Sequence, residues 1–566
     1  MAFFLGLGFL VTRNWEINTA EKLFYSFLTG WVGAIAVLQI WNLFFPVNSV
    51  AFWVFLGLSV IGWIFGSQKL INKKIPVSKL VFFGLIGILI TALMANQSTF
   101  GEVSYDHGLY HRPMINWLES YPLVKGLGNL HHRFAFNNSS FLLAAMLDSG
   151  PASGLIFYSF IPTLYTVLLM RLLLGVYRVF SEAWQVKEVF YALMSPIALW
   201  QFSRVDLASI GFPADPVIYI LQIAAIGEFL GIFLRKELDL FNRRRILLLA
   251  LVLAVGITIK LSFAVFGGML ILLILWSIWS QLFGENGEKR KLTFEIIGLI
   301  VVVVGVWLFR GVMLSGYPLF PSKVLGVAVK WQVPQGYIES VPESIRNWAQ
   351  HGGDLAANVP LKQWFPYWTQ HQNFEMLIAV GLFTVLTIIY FVGINYFGKA
   401  RQQKEILLVM LAVVVSIAVW FIQAPSERFA AALIWVLPVL PMVLLLNKLK
   451  DLPWLQNHAF VALLGLALLT FWFKPEYKNY VSLGETLLKP PLEATLNIGM
   501  MKFDPNRFEL TNSGLKVFIA ADQNEERCYD QPLPCTRKND FDPRLSLLKI
   551  GDIGGGFWVD PTAVKP

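Results

Sequence analysis

The sequence predicts an all-α polytopic transmembrane bundle of about 13–14 spans, with large loops on one side and a small mixed C-terminal segment. Three observations lead there. Of 566 residues, 56% are hydrophobic and only 14% charged, with a mean hydropathy of +0.59, which is more apolar surface than one water-soluble core buries. Apolar runs of about 20 residues, the length that crosses a hydrocarbon core, recur from the first residues to Phe473. Clusters of lysine and arginine fall on every second connector between those runs.

In order, the runs cover 24–45, 50–67, 79–96, 152–177, 186–203, 214–234, 246–260, 262–283, 292–310, 375–397, 405–424, 429–447 and 457–473. The opening stretch Met1–Val11 is apolar but short, and it ends at Arg13 rather than at a small-residue cleavage site. That resembles a partial or tilted span more than a cleaved signal peptide, and whether it spans stays open. The basic connectors carry Lys69, Lys73 and Lys74; Arg235, Lys236, Arg243, Arg244 and Arg245; Lys289, Arg290 and Lys291; and Lys399, Arg401 and Lys404. By the charge rule they face the cytoplasm. Connectors 97–151, 204–213 and 311–374, together with the tail from Lys474, then lie on the opposite side, so the chain divides into a transmembrane part, 1–473, and an extracytoplasmic segment, 474–566. The net charge of +9 is spent in these connectors, where it orients helices, and gives no reason to expect a nucleic-acid partner.

Only two cysteines are present, Cys528 and Cys535, close together in the tail. An oxidising compartment favours a bridge between them, with two free thiols as the alternative, and two cysteines alone are too few for a structural zinc site.

Four of the seven histidines, His107, His111, His131 and His132, fall within the loop Glu102–Asn138, beside Asp106, Arg112, Glu119, Lys125 and Arg133. Leu109, Ile115 and Leu118 give part of this loop the pattern of a helix lying along the membrane surface. Asp106 follows the run that ends near Met94 and therefore stays close to the membrane, where it suits work on a lipid-linked substrate. Partial desolvation beside His107, His111 or Arg133 would tune it as a general base; the plain alternative is a solvated loop with ordinary charge. His107 and His111 stand four residues apart and would share a helix face, suited to a metal with Asp106 or His131, although no specific zinc signature is present. Lys260 interrupts an apolar run at Thr258-Ile259-Lys260-Leu261-Ser262, Arg310 ends another, Arg428 follows Ala424-Pro425-Ser426-Glu427, and Asp206 and Asp215 lie in the outer connector Arg204 to Pro216. Charge beside hydrocarbon is costly, so these residues point to a shared cationic cavity for a phosphate or diphosphate group; snorkelling and turn-sealing are the alternatives. Trp331, Trp348, Trp364 and Trp368 mark the loop 311–374 as an interfacial anchor or a lid over that cavity.

At this point the residues carry a family likeness. A polytopic chain whose first large outer loop opens on an acidic residue and includes a surface-lying helix resembles the GT-C glycosyltransferases. Tyr105-Asp106 through Leu109-Tyr110-His111, Gly126-Leu127-Gly128-Asn129-Leu130-His131, Ile259-Lys260-Leu261-Ser262, Arg310 with Ser315-Gly316-Tyr317-Pro318, Pro425 with Arg428-Phe429, and Leu533-Pro534-Cys535-Thr536 look more closely like a thinly characterised group of bacterial multi-pass membrane proteins of GT-C-like architecture. The resemblance implies transfer of a sugar from a polyprenyl-phosphate-type donor to an extracytoplasmic glycan or lipid acceptor at the plasma membrane, in envelope assembly. By it, Asp106 would be the base; Lys260, Arg310 and Arg428 would neutralise the departing phosphate; and His107, His111, His131, Arg133 and Asp215 would shape the pocket. Some members of the class need a divalent metal and others do not. The acidic pair of many GT-C loops is missing here, since His107 follows Asp106.

Two other classes compete with a transferase or a closely related polysaccharide polymerase. A transporter or flippase of lipid-linked glycans would carry inverted repeats or polar residues near span centres, whereas no repeat stands out and the ionisable residues read as clustered at outer ends. A non-catalytic envelope-assembly protein would use the loop only to bind a partner. No Walker loop, dinucleotide fingerprint or serine-nucleophile elbow occurs in a fitting context, which argues against nucleotide hydrolysis.

Overall fold

With no water in hydrocarbon to satisfy backbone N–H and C=O groups, a long apolar run must satisfy them internally, and the described residues of the runs named above lie almost entirely on helices. The computed structural model describes the chain apart from residues 67–76, 101–103, 152, 182–183, 204–210, 281, 373, 393–402, 450–451, 473–505, 521–526 and 561–566. Lys69, Lys73, Lys74, Asp206, Lys399 and Arg401 lie outside the described residues, as does the start of the tail at Lys474.

The order is α1 (Ala2–Thr12), α2 (Thr19–Phe44), α3 (Ser49–Gly66), α4 (Val77–Phe100), α5 (Arg112–Ser120), α6 (Ser140–Asp148), α7 (Ile156–Ser181), α8 (Val186–Ser203), α9 (Ala214–Phe233), α10 (Leu240–Ile259), α11 (Ala264–Ser280), α12 (Asn286–Ser315), α13 (Gln335–His351), α14 (Leu361–His371), α15 (Phe374–Val392), α16 (Gln403–Gln423), α17 (Glu427–Ala430), α18 (Leu433–Lys448) and α19 (Pro453–Trp472). Among the described residues, 8 segments are long and apolar enough to cross a bilayer: α2, α3, α7, α9, α12, and residues 261–280, 375–392 and 404–423. The chain is a multi-pass helical membrane protein. Helix α10 falls outside that set because Arg243, Arg244 and Arg245 occupy its first turns, and α18 because it has only 16 residues.

The tail carries five short strands, β1 (Phe508–Leu510), β2 (Lys516–Ile519), β3 (Cys535–Thr536), β4 (Leu545–Leu547) and β5 (Phe557–Val559). Strand β2 pairs antiparallel with β1 and parallel with β3, and β4 pairs antiparallel with β5. A disulfide joins Cys528 to Cys535. This segment is clipped to the first long loop by backbone hydrogen bonds: Tyr529 N–H donates to Gly108 O at 2.9 Å, and Phe557 N–H to Lys125 O at 2.9 Å. The Thr536 hydroxyl adds a third link, to Leu130 O at 2.9 Å. Gly126 is needed at this junction. Its φ is +63°, and a Cβ there would sit 2.1 Å from Phe557 O.

The same loop is tied to the helix ends around it. Leu123 N–H donates to Asn42 O at 2.8 Å, Gly126 N–H to Met313 O at 2.7 Å, and Ser139 N–H to Thr258 O at 3.1 Å. The first long loop, the C-terminal ends of α2, α10 and α12, and the tail therefore share one end of the bundle. The antiparallel pair α9 and α10 connects this end to the other. Asp215 and Lys260 flank the pair at the loop end, while Glu228 and Arg245 meet about 20 Å further along α9.

Candidate functional site

Asp106 precedes a five-residue π-helical turn, His107–His111, which runs directly into α5, where Pro113 presets the first helical turn. Wide turns of this kind collect at functional sites because they rotate the side chains that follow. Here the turn buries His107 and His111 against Phe157 and Phe141, with ring centroids 4.9 and 5.0 Å apart, and leaves the Asp106 carboxylate part-exposed. Its Oδ1 accepts from Arg133 Nη1 at 2.7 Å, and its Oδ2 lies 3.7 Å from Arg428 Nη2.

Three further parts of the chain complete the cluster. Lys260, at the break after α10, donates to Asp215 at the start of α9. Its ammonium also lies 4.4 Å from the Phe429 ring, while Arg428 rests over Trp348 of α13 at 4.7 Å and over Phe429 at 5.1 Å. Arg133 stacks on Tyr110 at 5.4 Å. Aromatic faces hold these cations without neutralising them, so only the two carboxylates offset their charge. Three cations, Arg133, Lys260 and Arg428, thus surround two carboxylates, Asp106 and Asp215. At 47% side-chain exposure, Arg428 is the most open of the five.

Burial, reinforced by Asp106, pushes the Tyr110 hydroxyl above its ordinary range. Burial likewise pushes His107 and His111 down to about 3; His111 and Arg112 add to the effect on His107, and Arg133, Arg428 and Lys260 to that on His111. Both imidazoles are therefore neutral at physiological pH; His111 is the one that feels the cations of the site, while His107 faces Arg112, Asp530 and Asp148.

Other residues expected at the site lie elsewhere. Arg310 is buried in α12, where it donates to Asn42 Oδ1 at 2.9 Å and Asn137 Oδ1 at 3.3 Å. Asn137, at φ +53°, also exchanges hydrogen bonds with Trp307, so Arg310 belongs to a lock between α2, α12 and the loop. His131 turns toward the tail, with Nδ1 3.4 Å from Asp540 Oδ2, and is not gathered with His107, His111 and Asp106 into a metal-binding set. Of the loop tryptophans, Trp348 reaches the site. Trp364 packs on Phe421, Trp368 donates to Pro425 O at 2.6 Å, and Trp331 donates to Val312 O at 3.0 Å.

The densest ionic network is one that sequence reasoning missed, and it corrects the view that charge gathers only at the loop end. Glu188 of α8 takes Arg171 of α7 in a fork, at 2.9 and 3.0 Å, and Arg178 at 2.9 Å. Arg178 also reaches Glu21 at 3.1 Å. Glu228 accepts from Arg245 at 2.7 Å and from Tyr25 at 2.8 Å, and Lys187 stands 3.3 Å from Glu228. Four cations and three carboxylates thus cross-link α2, α7, α8, α9 and α10. The available signal was Arg171, Glu188 and Glu228 standing in or at the ends of apolar runs, where a charge requires a partner.

No curated protein and no solved structure matches the chain. One family model does, over residues 1–435. That share of the chain places this multi-pass protein in the family described as "Domain of unknown function (DUF8201)".

Proposed function

We propose that the protein is a glycosyltransferase that moves a sugar from a polyprenyl-phosphate-type lipid donor to an acceptor hydroxyl outside the cytoplasm. In this reading the Asp106 face and the C-terminal segment are extracytoplasmic, and the membrane is the plasma membrane of a bacterium. The observation that carries it is the part-exposed Asp106 carboxylate held between Arg133 and Arg428, beside the Lys260–Asp215 pair.

Each group has work to do in a displacement at the anomeric carbon. The acceptor oxygen forms the new bond to that carbon while Asp106 takes its proton. The bond from the anomeric carbon to the lipid phosphate oxygen breaks, and the phosphate leaves with the electron pair. Arg428 and Lys260 meet the developing negative charge; guanidinium and ammonium groups suit phosphate oxygens, and a fixed cation is worth most where charge appears. His111, neutral and buried beside these cations, keeps water from one wall.

A second reading, a flippase of lipid-linked glycans, is favoured by the network around Glu188 and Glu228, because polar groups inside a bundle are what a transport path requires. One experiment separates the two. The protein in nanodiscs is given a panel of radiolabelled polyprenyl-phosphate sugars, and in parallel the same lipids are followed across sealed liposomes. Sugar release or transfer with no acceleration of lipid crossing supports the transferase. Accelerated crossing with the sugar still attached to its lipid favours the flippase.

A further inference from the structure

We propose that His131, His132 and Asp540 form a site for one divalent transition-metal ion that fastens the C-terminal segment to the first long loop. Among the described residues these three side chains offer ligand atoms that all lie within 4.8 Å of one another. Asp540 Oδ2 is 3.4 Å from His131 Nδ1 and 3.5 Å from His132 Nδ1. Ligands held about 2.0–2.2 Å from a tetrahedral ion stand about 3.3–3.6 Å from each other, so these spacings are those of two edges of such a site.

The hydrogen-bonding state of the donors points the same way. His131 and Asp540 are buried, and His132 is 13% exposed. His132 Nδ1 and Asp540 Oδ2, 3.5 Å apart, are both buried without a hydrogen bond among the described residues. Polar atoms so placed are costly, and an ion that accepts the converging lone pairs removes that cost. Arg537 Nε approaches Asp540 Oδ2 at 2.6 Å without hydrogen-bond alignment. A carboxylate has lone pairs enough for a cationic neighbour as well as a metal, and ligating carboxylates are commonly supported in this way. The backbone N–H of Arg133 also points at His131 Nδ1, at 3.3 Å, and an ion would take over this long contact. Two imidazoles with one carboxylate suit zinc, cobalt or nickel rather than magnesium or calcium.

The position of the site gives it a consequence. Arg133, the partner of Asp106, directly follows the two histidines, and Asp540 closes a turn of the tail that begins three residues after Cys535. An ion here would fix the backbone from which Arg133 reaches Asp106. This inference does not rest on the transferase reading, since any use of the Asp106 cluster would feel the same clamp.

The test uses the full chain in nanodiscs after treatment with a chelator, titrated with Co²⁺ and followed by its visible absorption, then competed with Zn²⁺. Wild type is expected to bind one equivalent with the intense bands of a tetrahedral site. His132→Ala and Asp540→Asn are each expected to weaken binding by at least about 100-fold, since removing a ligand costs more than removing a ligand's supporting partner. His371→Ala, at an exposed histidine of α14 that is no part of the cluster, controls for adventitious binding and should bind as wild type does. Should either ligand variant fail to fold, wild type supplies a separate readout: Zn²⁺ should slow proteolysis of the tail, and excess chelator should reverse the effect. The proposal is overturned by wild type that takes up no stoichiometric metal, or by ligand variants within tenfold of it.

Discussion

Replacing Glu188 by glutamine changes little in shape and removes one charge from the centre of the five-helix network. Both carboxylate oxygens are engaged, by Arg171 at 2.9 and 3.0 Å and by Arg178 at 2.9 Å, and the side chain is 2% exposed. The glutamine carbonyl can still accept, but its NH₂ group would face guanidinium N–H donors. Arg178 keeps Glu21 as a partner at 3.1 Å. Arg171, 1% exposed and 3.8 Å above the Tyr191 ring, has no route to water. The loss is therefore that of breaking a buried pair from one side, about 3–5 kcal/mol, rather than the 0–1 kcal/mol of a surface pair. Denaturant titration in mixed micelles, read by tryptophan fluorescence, measures it. The double variant Arg171→Met, Glu188→Leu should regain most of the loss, because neither charge is then buried alone. A Glu188→Gln variant within about 1 kcal/mol of wild type would refute the reasoning, as would a double variant no better than the single one.

Other outcomes follow from the loop end. Arg428→Ala should lower sugar release by about 10²–10³-fold, the scale of removing one group that stabilises transition-state charge, while costing at most about 1 kcal/mol of stability; Arg428→Lys should recover part of the rate. Gly126→Ala should cost about 1–3 kcal/mol and expose the tail to limited proteolysis, because the positive φ and Phe557 O both oppose a Cβ. Glu119 of α5 is pushed up to about 8 by burial, with Asp148 adding to the effect and Arg112 opposing it. Between about pH 4.5 and 8 the folded chain keeps a proton that the unfolded chain releases, so this group makes stability fall as pH rises, by a few kcal/mol at most, and Glu119→Gln should flatten that slope in melting curves. His107 and His111 act on the acid side: held down to about 3, they make stability fall as pH drops below about 6.5.

How much of this was legible in the sequence depends on the physics involved. Helices were legible because hydrocarbon admits little else: the described residues of the thirteen runs fall almost entirely on helices, with ends up to about six residues from the expected ones and the run 429–447 divided between α17 and α18. Lys260 was legible as a polar break in an apolar run, and the fold gives it Asp215. Arg310 looked equivalent, yet it turns into the bundle toward Asn42 and Asn137. One sequence cannot separate a cation that lines a cavity from one that locks two helices, because the difference lies in which helix face meets which neighbour. The Arg171–Glu188 fork was hidden for the same reason: it depends on how α7 and α8 pack as a hairpin. The tail carried no sign of its landing place. Its contacts with Gly108, Lys125 and Leu130 are mostly backbone bonds, which any sequence of suitable shape can make.

The central claim is that chemistry occurs at Asp106, and single-turnover sugar release by Asp106→Asn tests it most directly. In nanodiscs loaded with the donor that wild type uses best, the variant should bind donor lipid to within a few-fold of wild type. Its melting behaviour should stay within about 1 kcal/mol, because the pairs it loses are part-exposed. Its rate should fall by about 10²–10⁴-fold, the scale of a general base. A folded Asp106→Asn protein that turns over within tenfold of wild type would contradict the account and move the reacting centre away from this carboxylate.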